Sequence, residues 1–371
     1  MHKLIIPFLA LALVLTGCAD IPEPPAPSLT ESSSASASGF PANATIGVAM
    51  PHRTSECCPV TGRFETGLSE AGFTPMLRYG DGGEHDQMSQ IQEMIEAGAK
   101  VIIIAAIGPD SLVTQLADAK AAGITVIAYD RLLMDSPNVD MYIAHDFCEV
   151  GRQQAGSLLE GLAKTGVGPY NIELIAGSHD DRYAPVFFDC AMEVLQPKID
   201  DGTLRVPSGQ VAFEQVSTLG WLPSQLKERF GTLLPSVYKK GTQLDGVLSP
   251  NDTLARAAIT TIADAHIPIP VITGQDSELE SVRWITEGKQ YSTIFRDNIA
   301  LIDETINLVK QLQQGKEITF TDTTSYHNGK KIVPAVILPS VIVTQENVCT
   351  VYPPYADASA VTANAPFCQG E

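Results

Sequence analysis

The chain has 371 residues, 44% of them apolar and 6% aromatic, enough apolar material for two sizeable cores rather than one. A formal net charge of −19 argues against nucleic acid as a partner and against basic patches that hold to an anionic membrane. A small ligand stays open, because a site can be locally basic inside an acidic protein.

Residues 1–18, MHKLIIPFLALALVLTGC, join Lys3 to the apolar run Leu4–Leu15, whose 12 residues are too short for a stable bilayer anchor. Leu15-Thr16-Gly17-Cys18 resembles the bacterial lipobox and predicts an exported chain lipidated at Cys18, with an ordinary signal peptide and incidental cysteine as the alternative. The expected location is therefore the cell envelope, at the outer face of the plasma membrane or in the periplasm. Residues 19–43, rich in Pro, Ser and Ala, read as a disordered tether. Export makes disulfides the default for Cys57, Cys58, Cys148, Cys190, Cys349 and Cys368. Six cysteines allow about 15 connectivities, and the sequence alone does not choose among them. Zinc is the weaker reading, since neither C-x-x-C pairs nor nearby histidines supply ligand spacing.

From Ala44 strand and helix patterns alternate. Thr45–Met50 predicts a first strand, followed by a helix to about Ala71 and a second strand over Phe73–Tyr79. His85–Ala97 carries apolar residues at helical spacing and stops at Gly98. VIIIAA (101–106) reads as a buried strand, Pro109–Ala122 as a helix closed by Gly123, and ITVIA (124–128) as a strand running into Tyr129-Asp130-Arg131. Four such units in sequence predict a parallel, doubly wound lobe.

A second set starts near Met141–Ala144, with a helix over Phe147–Lys164, a strand over Asn171–Ala176 and a helix over Tyr183–Val194. Another helix, Leu222–Leu234, follows the loop holding Trp221. Leu244–Leu248 and Val271–Gly274 predict strands ending at Asn251-Asp252 and Asp276, and Tyr291–Phe295 one ending at Arg296. Ile299–Gln314 predicts a long amphipathic helix, with late strands over Ile332–Leu338 and Val341–Thr344 and a loosely ordered tail over 351–371. Open α/β sheets bind ligands beyond the carboxyl ends of their strands, where Arg53, Asp130-Arg131, Asn251, Asp276 and Arg296 would fall. Carboxylates accept hydrogen bonds from hydroxyls and guanidiniums donate them in fixed directions, which suits a polyhydroxylated ligand. A surface Asp–Arg pair that merely caps a strand is the bland alternative.

VIIIAAIGPDSL, GITVIAYDRL, SPNVDMYIAHD, NIELIAGSHDD, LDGVLSPNDTLA, PVITGQDSE and EGKQYSTIFRD occur in an order that resembles the ribose/galactose/xylose-type solute-binding proteins of bacterial ABC importers, over roughly residues 45–345. The xylose and multiple-sugar receptors are the most similar group. The resemblance implies two Rossmann-like lobes joined by a three-strand hinge, without cofactor or metal, closing on a monosaccharide and docking on an ABC permease as a monomer. The implied lobes are 44–145 with 277–316 and 146–276 with 317–350. The implied ligand contacts are Asp130, Arg131, Arg182, Asn251, Asp276, Arg296, Trp221 and Arg53.

This sequence also departs from the family pattern. Cys57-Cys58 stands where relatives carry Arg-Trp, and Asp146-Phe147 where they carry Asp-Asn. Cys57 and Cys58 form either separate long-range bridges or a vicinal bond. The vicinal bond is strained, because Cα atoms about 3.8 Å apart lie below the usual disulfide range. It would offer the sugar a polarizable sulfur surface in place of the indole, and would leave Cys148–Cys190 and Cys349–Cys368 as the other pairs. Four guanidiniums (Arg53, Arg131, Arg182, Arg296) suit a sugar acid unless Asp130, Asp146 and Asp276 offset them. A sensory receptor delivering the sugar to a chemotaxis or kinase partner is a second reading. An enzyme is disfavoured: the chain has no G-x-S-x-G, H-E-x-x-H, P-loop or G-x-G-x-x-G.

Overall fold

Apolar runs too short for helices, such as VIII (101–104), set the centre of the first sheet. The computed structural model describes residues 39–51, 61–238 and 242–370. The first lobe is built from β1 (Thr45–Met50), α1 (Thr61–Glu70), β2 (Thr74–Tyr79), α2 (Glu84–Glu96), β3 (Val101–Ile104), α3 (Val113–Ala121), β4 (Thr125–Tyr129) and β5 (Met141–His145). The second follows with α4 (Phe147–Thr165), β6 (Tyr170–Leu174), α5 (Ala184–Asp200), β7 (Leu204–Arg205), α6 (Phe213–Val216), α7 (Pro223–Val237), β8 (Gly246–Leu248), α8 (Asp252–Asp264), β9 (Val271–Ile272), α9 (Leu279–Thr286) and β10 (Thr293–Arg296). The chain ends with α10 (Asn298–Gln313), β11 (Ala335–Leu338), β12 (Ser340–Val343) and α11 (Asp357–Ala363).

The first sheet is parallel throughout, in the order β11-β5-β4-β3-β1-β2, and the second is parallel in the order β7-β6-β8-β9. Every residue of β3 is buried, as a central strand covered on both faces requires. One face packs on Phe64 and Leu68 of α1 and Leu301, Ile302 and Val309 of α10. The other face packs on Ile91 and Met94 of α2 and Leu116 of α3. The second sheet lies between Leu158 of α4 with Leu195 of α5, and Phe230 of α7 with Leu254 and Ile262 of α8.

The chain passes between the lobes after β5 through Asp146, after β10 through Asp297 and after β11 through Pro339. These crossings correct two expected boundaries. Residues 277–296, expected in the first lobe, belong to the second: Val282 and Ile285 of α9 pack on Val343 and Val348, and β10 pairs antiparallel with β12. Residues 317–338, expected in the second lobe, belong to the first. There β11 pairs with β5, and the Asn328 amide donates to the carbonyls of Leu133 and Ser136 at 3.1 and 2.8 Å. β9 and β10 both end on a polar cluster, so their local sequences look alike and only strand pairing separates them. The tail also differs from expectation. It forms α11, buries Tyr352 and Ala358 against α9, and is tied by a Cys349–Cys368 disulfide. A second disulfide, Cys148–Cys190, joins α4 to α5. The predicted lipidation at Cys18, residues 19–38 of the expected tether, Arg53, Cys57 and Cys58 lie outside the described residues, whereas the expected tether's last residues are ordered, with Phe40 packed 6.2 Å from the Phe73 ring.

Candidate functional site

Asp130 follows β4 directly and takes φ 61°, a left-handed conformation uncommon outside glycine. Its N–H donates to the carbonyl of Ile143 at 2.9 Å, and its own carbonyl accepts from the Tyr142 hydroxyl at 2.8 Å. The turn is therefore held from two sides, which is how a strained backbone persists. Burial raises the Asp130 pKa, while Arg296 and Arg131 pull it down and Asp181 and Asp276 push it further up. Asp130 and Arg131 of the first lobe thus share one electrostatic neighbourhood with Asp276 and Arg296 of the second.

Asp276 repeats the backbone device with φ 93°, and its N–H donates to the carbonyl of Ile294 at 3.0 Å. Arg296 donates through Nη2 to Asp276 Oδ1 at 2.8 Å, and its guanidinium lies 6.0 Å from the Phe147 ring. Behind this pair, buried Gln154 donates to the carbonyl of Pro250 and to Gln275 Oε1 at 3.0 and 2.9 Å. Gln275 in turn donates to Asp276 Oδ1 at 3.3 Å.

Asn251 and Asp146 have capping duties as well as their expected place at the site. Asn251 Oδ1 accepts from the N–H of Leu254 at 2.9 Å to cap α8, and Asp146 Oδ1 accepts from the N–H of Glu149 at 3.0 Å to cap α4. Trp221 takes φ 56° and lies on Gly177, where an added Cβ would come within 2.1 Å of the indole. Glycine is required there so that the ring can sit at the carboxyl end of β6. Arg182 is half-exposed and pairs with Asp110 of the first lobe at 2.8 Å. Two hollows of about 720 and 370 Å³ lie elsewhere on the second lobe. Convergence of charged groups marks the site.

Sequence reasoning gave no ligand role to Phe147, Tyr183 or His145. Phe147 packs edge-on against Tyr183 at 4.8 Å and lies 5.2 Å from Phe187, an aromatic floor where the starts of α4 and α5 meet. The signal was present in the Asp146-Phe147 departure. His145 ends β5, is fully buried, and finds no hydrogen-bond partner for either ring nitrogen among the described residues.

Burial first, and Arg296 second, lower the His145 pKa to about 3. The folded state therefore holds a neutral imidazole while the unfolded chain takes up a proton below about pH 6.5. The unfolded state binds more protons in this window, so stability is complete above about 6.5 and falls as pH drops towards 3. Between pH 6.5 and 5 the loss from this residue is about 2 kcal/mol. Urea unfolding of His145→Phe beside the wild type across this range is expected to show a shallower pH slope, and parallel slopes would refute the assignment.

The periplasmic binding protein domain model matches residues 46–317. The multiple sugar-binding periplasmic receptor ChvE of Rhizobium radiobacter is 43% identical over 310 residues, covering 82% of this chain and 87% of that protein. The D-xylose-binding periplasmic protein of Escherichia coli K12 is 31% identical over 278 residues, covering 75% and 79%. An ABC transporter solute-binding protein from Clostridium phytofermentans, solved with bound β-D-glucose, superposes with a TM-score of 0.74 at 37% identity, over 85% of this chain and 99% of that one.

Proposed function

Because the chain belongs to the periplasmic binding protein family, we propose that it is the sugar-binding receptor of an ABC-type importer, capturing one neutral monosaccharide between its lobes. One observation carries this reading: Asp130 with Arg131 and Asp276 with Arg296, each at a strand's carboxyl end, come together from opposite lobes. The carboxylates accept from sugar hydroxyls and the guanidiniums donate to sugar oxygens, while Trp221 and Phe147 supply faces for C–H bonds. Hinge movement about Asp146, Asp297 and Pro339 would bring the two halves onto the ligand, and the closed form would be presented to a permease. Arg53 and the Cys57-Cys58 pair would complete the first-lobe side, and lipidation at Cys18 would hold the monomer at the envelope.

The same ion pairs favour a neutral sugar over a sugar acid. Arg296 is matched to Asp276 and Arg182 to Asp110, while Asp130 and Asp181 stand against Arg131. The described groups leave no surplus cation for a ligand carboxylate. A calorimetric panel is expected to give a Kd for a neutral aldose at least about tenfold below that for its uronic acid, roughly 1.4 kcal/mol. Tighter uronic acid binding would reverse the ligand class, and binding of no monosaccharide would remove the proposal.

A further inference from the structure

Residues 178–183, SHDDRY, form a loop at the carboxyl end of β6 that reaches the other lobe twice. Tyr183 Oη accepts from the N–H of Leu132 at 2.9 Å, and Arg182 Nη2 donates to Asp110 Oδ2 at 2.8 Å. The Tyr183 ring also lies 5.9 Å from the Arg131 guanidinium. Leu132, Asp110 and Arg131 belong to the first lobe, so one short loop makes three contacts across the cleft.

The loop is braced for that task. Ser178 Oγ accepts from the N–H of Gly220 at 2.7 Å and is itself bonded to Asp180, while Asp181 Oδ1 accepts from the N–H of Tyr183 at 2.9 Å. Phe147 backs the Tyr183 ring edge-on. Burial pushes the Tyr183 hydroxyl up to about 12, so it stays protonated at any physiological pH.

We propose that this loop is a latch for the ligand-bound form, with Tyr183 the positioning residue that orients Arg131 towards the sugar once the lobes meet. The inference rests on the reading of the cleft as a sugar site. Contacts between lobes act only when the lobes are together, so they shift the population towards the closed form and slow ligand escape without changing encounter. The Arg182–Asp110 pair is exposed, so its contribution is small and sensitive to salt. The Tyr183 contacts are shielded and carry more.

Stopped-flow kinetics with the sugar identified for the wild-type protein tests this. Tyr183→Phe is expected to raise the dissociation rate about fivefold, as loss of one net hydrogen bond would, with the association rate and ligand-free melting temperature unchanged. Asp110→Arg and Arg182→Asp should each release sugar about two- to fivefold faster at low salt, and the double swap should return to within about twofold of wild type. A wild-type protein that binds sugar while Tyr183→Phe releases it at the wild-type rate overturns the latch. A swap that fails to restore the rate overturns the Arg182–Asp110 arm. A wild-type protein that binds no sugar overturns the cleft assignment instead.

Discussion

Asp130→Asn is expected to weaken binding of the cognate sugar by roughly 30- to 150-fold, because a hydrogen-bonded charge contributes about 2–3 kcal/mol more than its neutral counterpart leaves behind. Asparagine isolates that term. Asp130 sits at φ 61°, a conformation Asn adopts more readily than any other residue except glycine, so the turn after β4 should survive. The two backbone bonds that fix the turn, to Ile143 and from the Tyr142 hydroxyl, do not involve the carboxylate. The ligand-free protein is expected to keep its stability, since the relief of the burial penalty on the charged carboxylate offsets the counter-charge that Arg296 and Arg131 lose. Strain and buried charge kept at one position are what a binding site holds at the expense of stability. Asp130→Ala should bind as weakly and also melt lower, because alanine adds left-handed strain of about 1–2 kcal/mol. Calorimetry and thermal unfolding of both variants check the pair of outcomes. An Asp130→Asn protein within threefold of wild-type affinity would place the ligand elsewhere.

What the sequence made legible follows from which forces are local. Thr45–Met50 and ITVIA are apolar at nearly every position, so their strands and the polar groups ending them could be placed without knowing any partner. Asp276 and Arg296 were legible for the same reason. The lobe assignment of 277–296 was not, because it depends on β10 pairing with β12 some 45 residues later. Arg182 was expected near the ligand from the resemblance alone, and its pairing with Asp110 on the other lobe was not legible because it depends on the two lobes meeting. The tail, rich in Pro and Ala, lacks a strong apolar period, and its order comes from Tyr352, Ala358 and the Cys349–Cys368 bond. Asn251 and Asp252 fall at the same strand end in the sequence, yet only Asn251 carried an expected ligand contact. The structure shows that the neighbour supports the site from beneath.

Asp252 is wholly buried, and each of its described side-chain partners is a donor: Gln290 Nε2 at 2.8 Å, the N–H of Glu278 at 2.9 Å and Thr293 Oγ1 at 2.9 Å. Three donors and no acceptor describe the surroundings of a carboxylate, even though burial and Asp276 push its pKa well up. Its backbone N–H donates to the carbonyl of Gln275, and Thr293 Oγ1 also accepts from the N–H of Ser277. One side chain therefore ties the start of α8 to the strand ends that carry Asp276. Asp252→Ala would strand three buried donors and is expected to cost about 3–5 kcal/mol, a large share of the stability of an ordinary domain. Asp252→Asn keeps the shape and one acceptor oxygen, and rotation of the Gln290 amide could meet the new NH₂ group, so its cost should be about 1–2 kcal/mol. The Asn variant should also bind sugar more weakly, because the Asp276–Ser277 turn loses part of its support. Urea unfolding gives the stability ranking, and calorimetry on the Asn variant gives the functional consequence even if the Ala variant does not fold. Should Asp252→Asn match wild type in both measurements, Asp252 would be a packing residue with no part in holding Asp276.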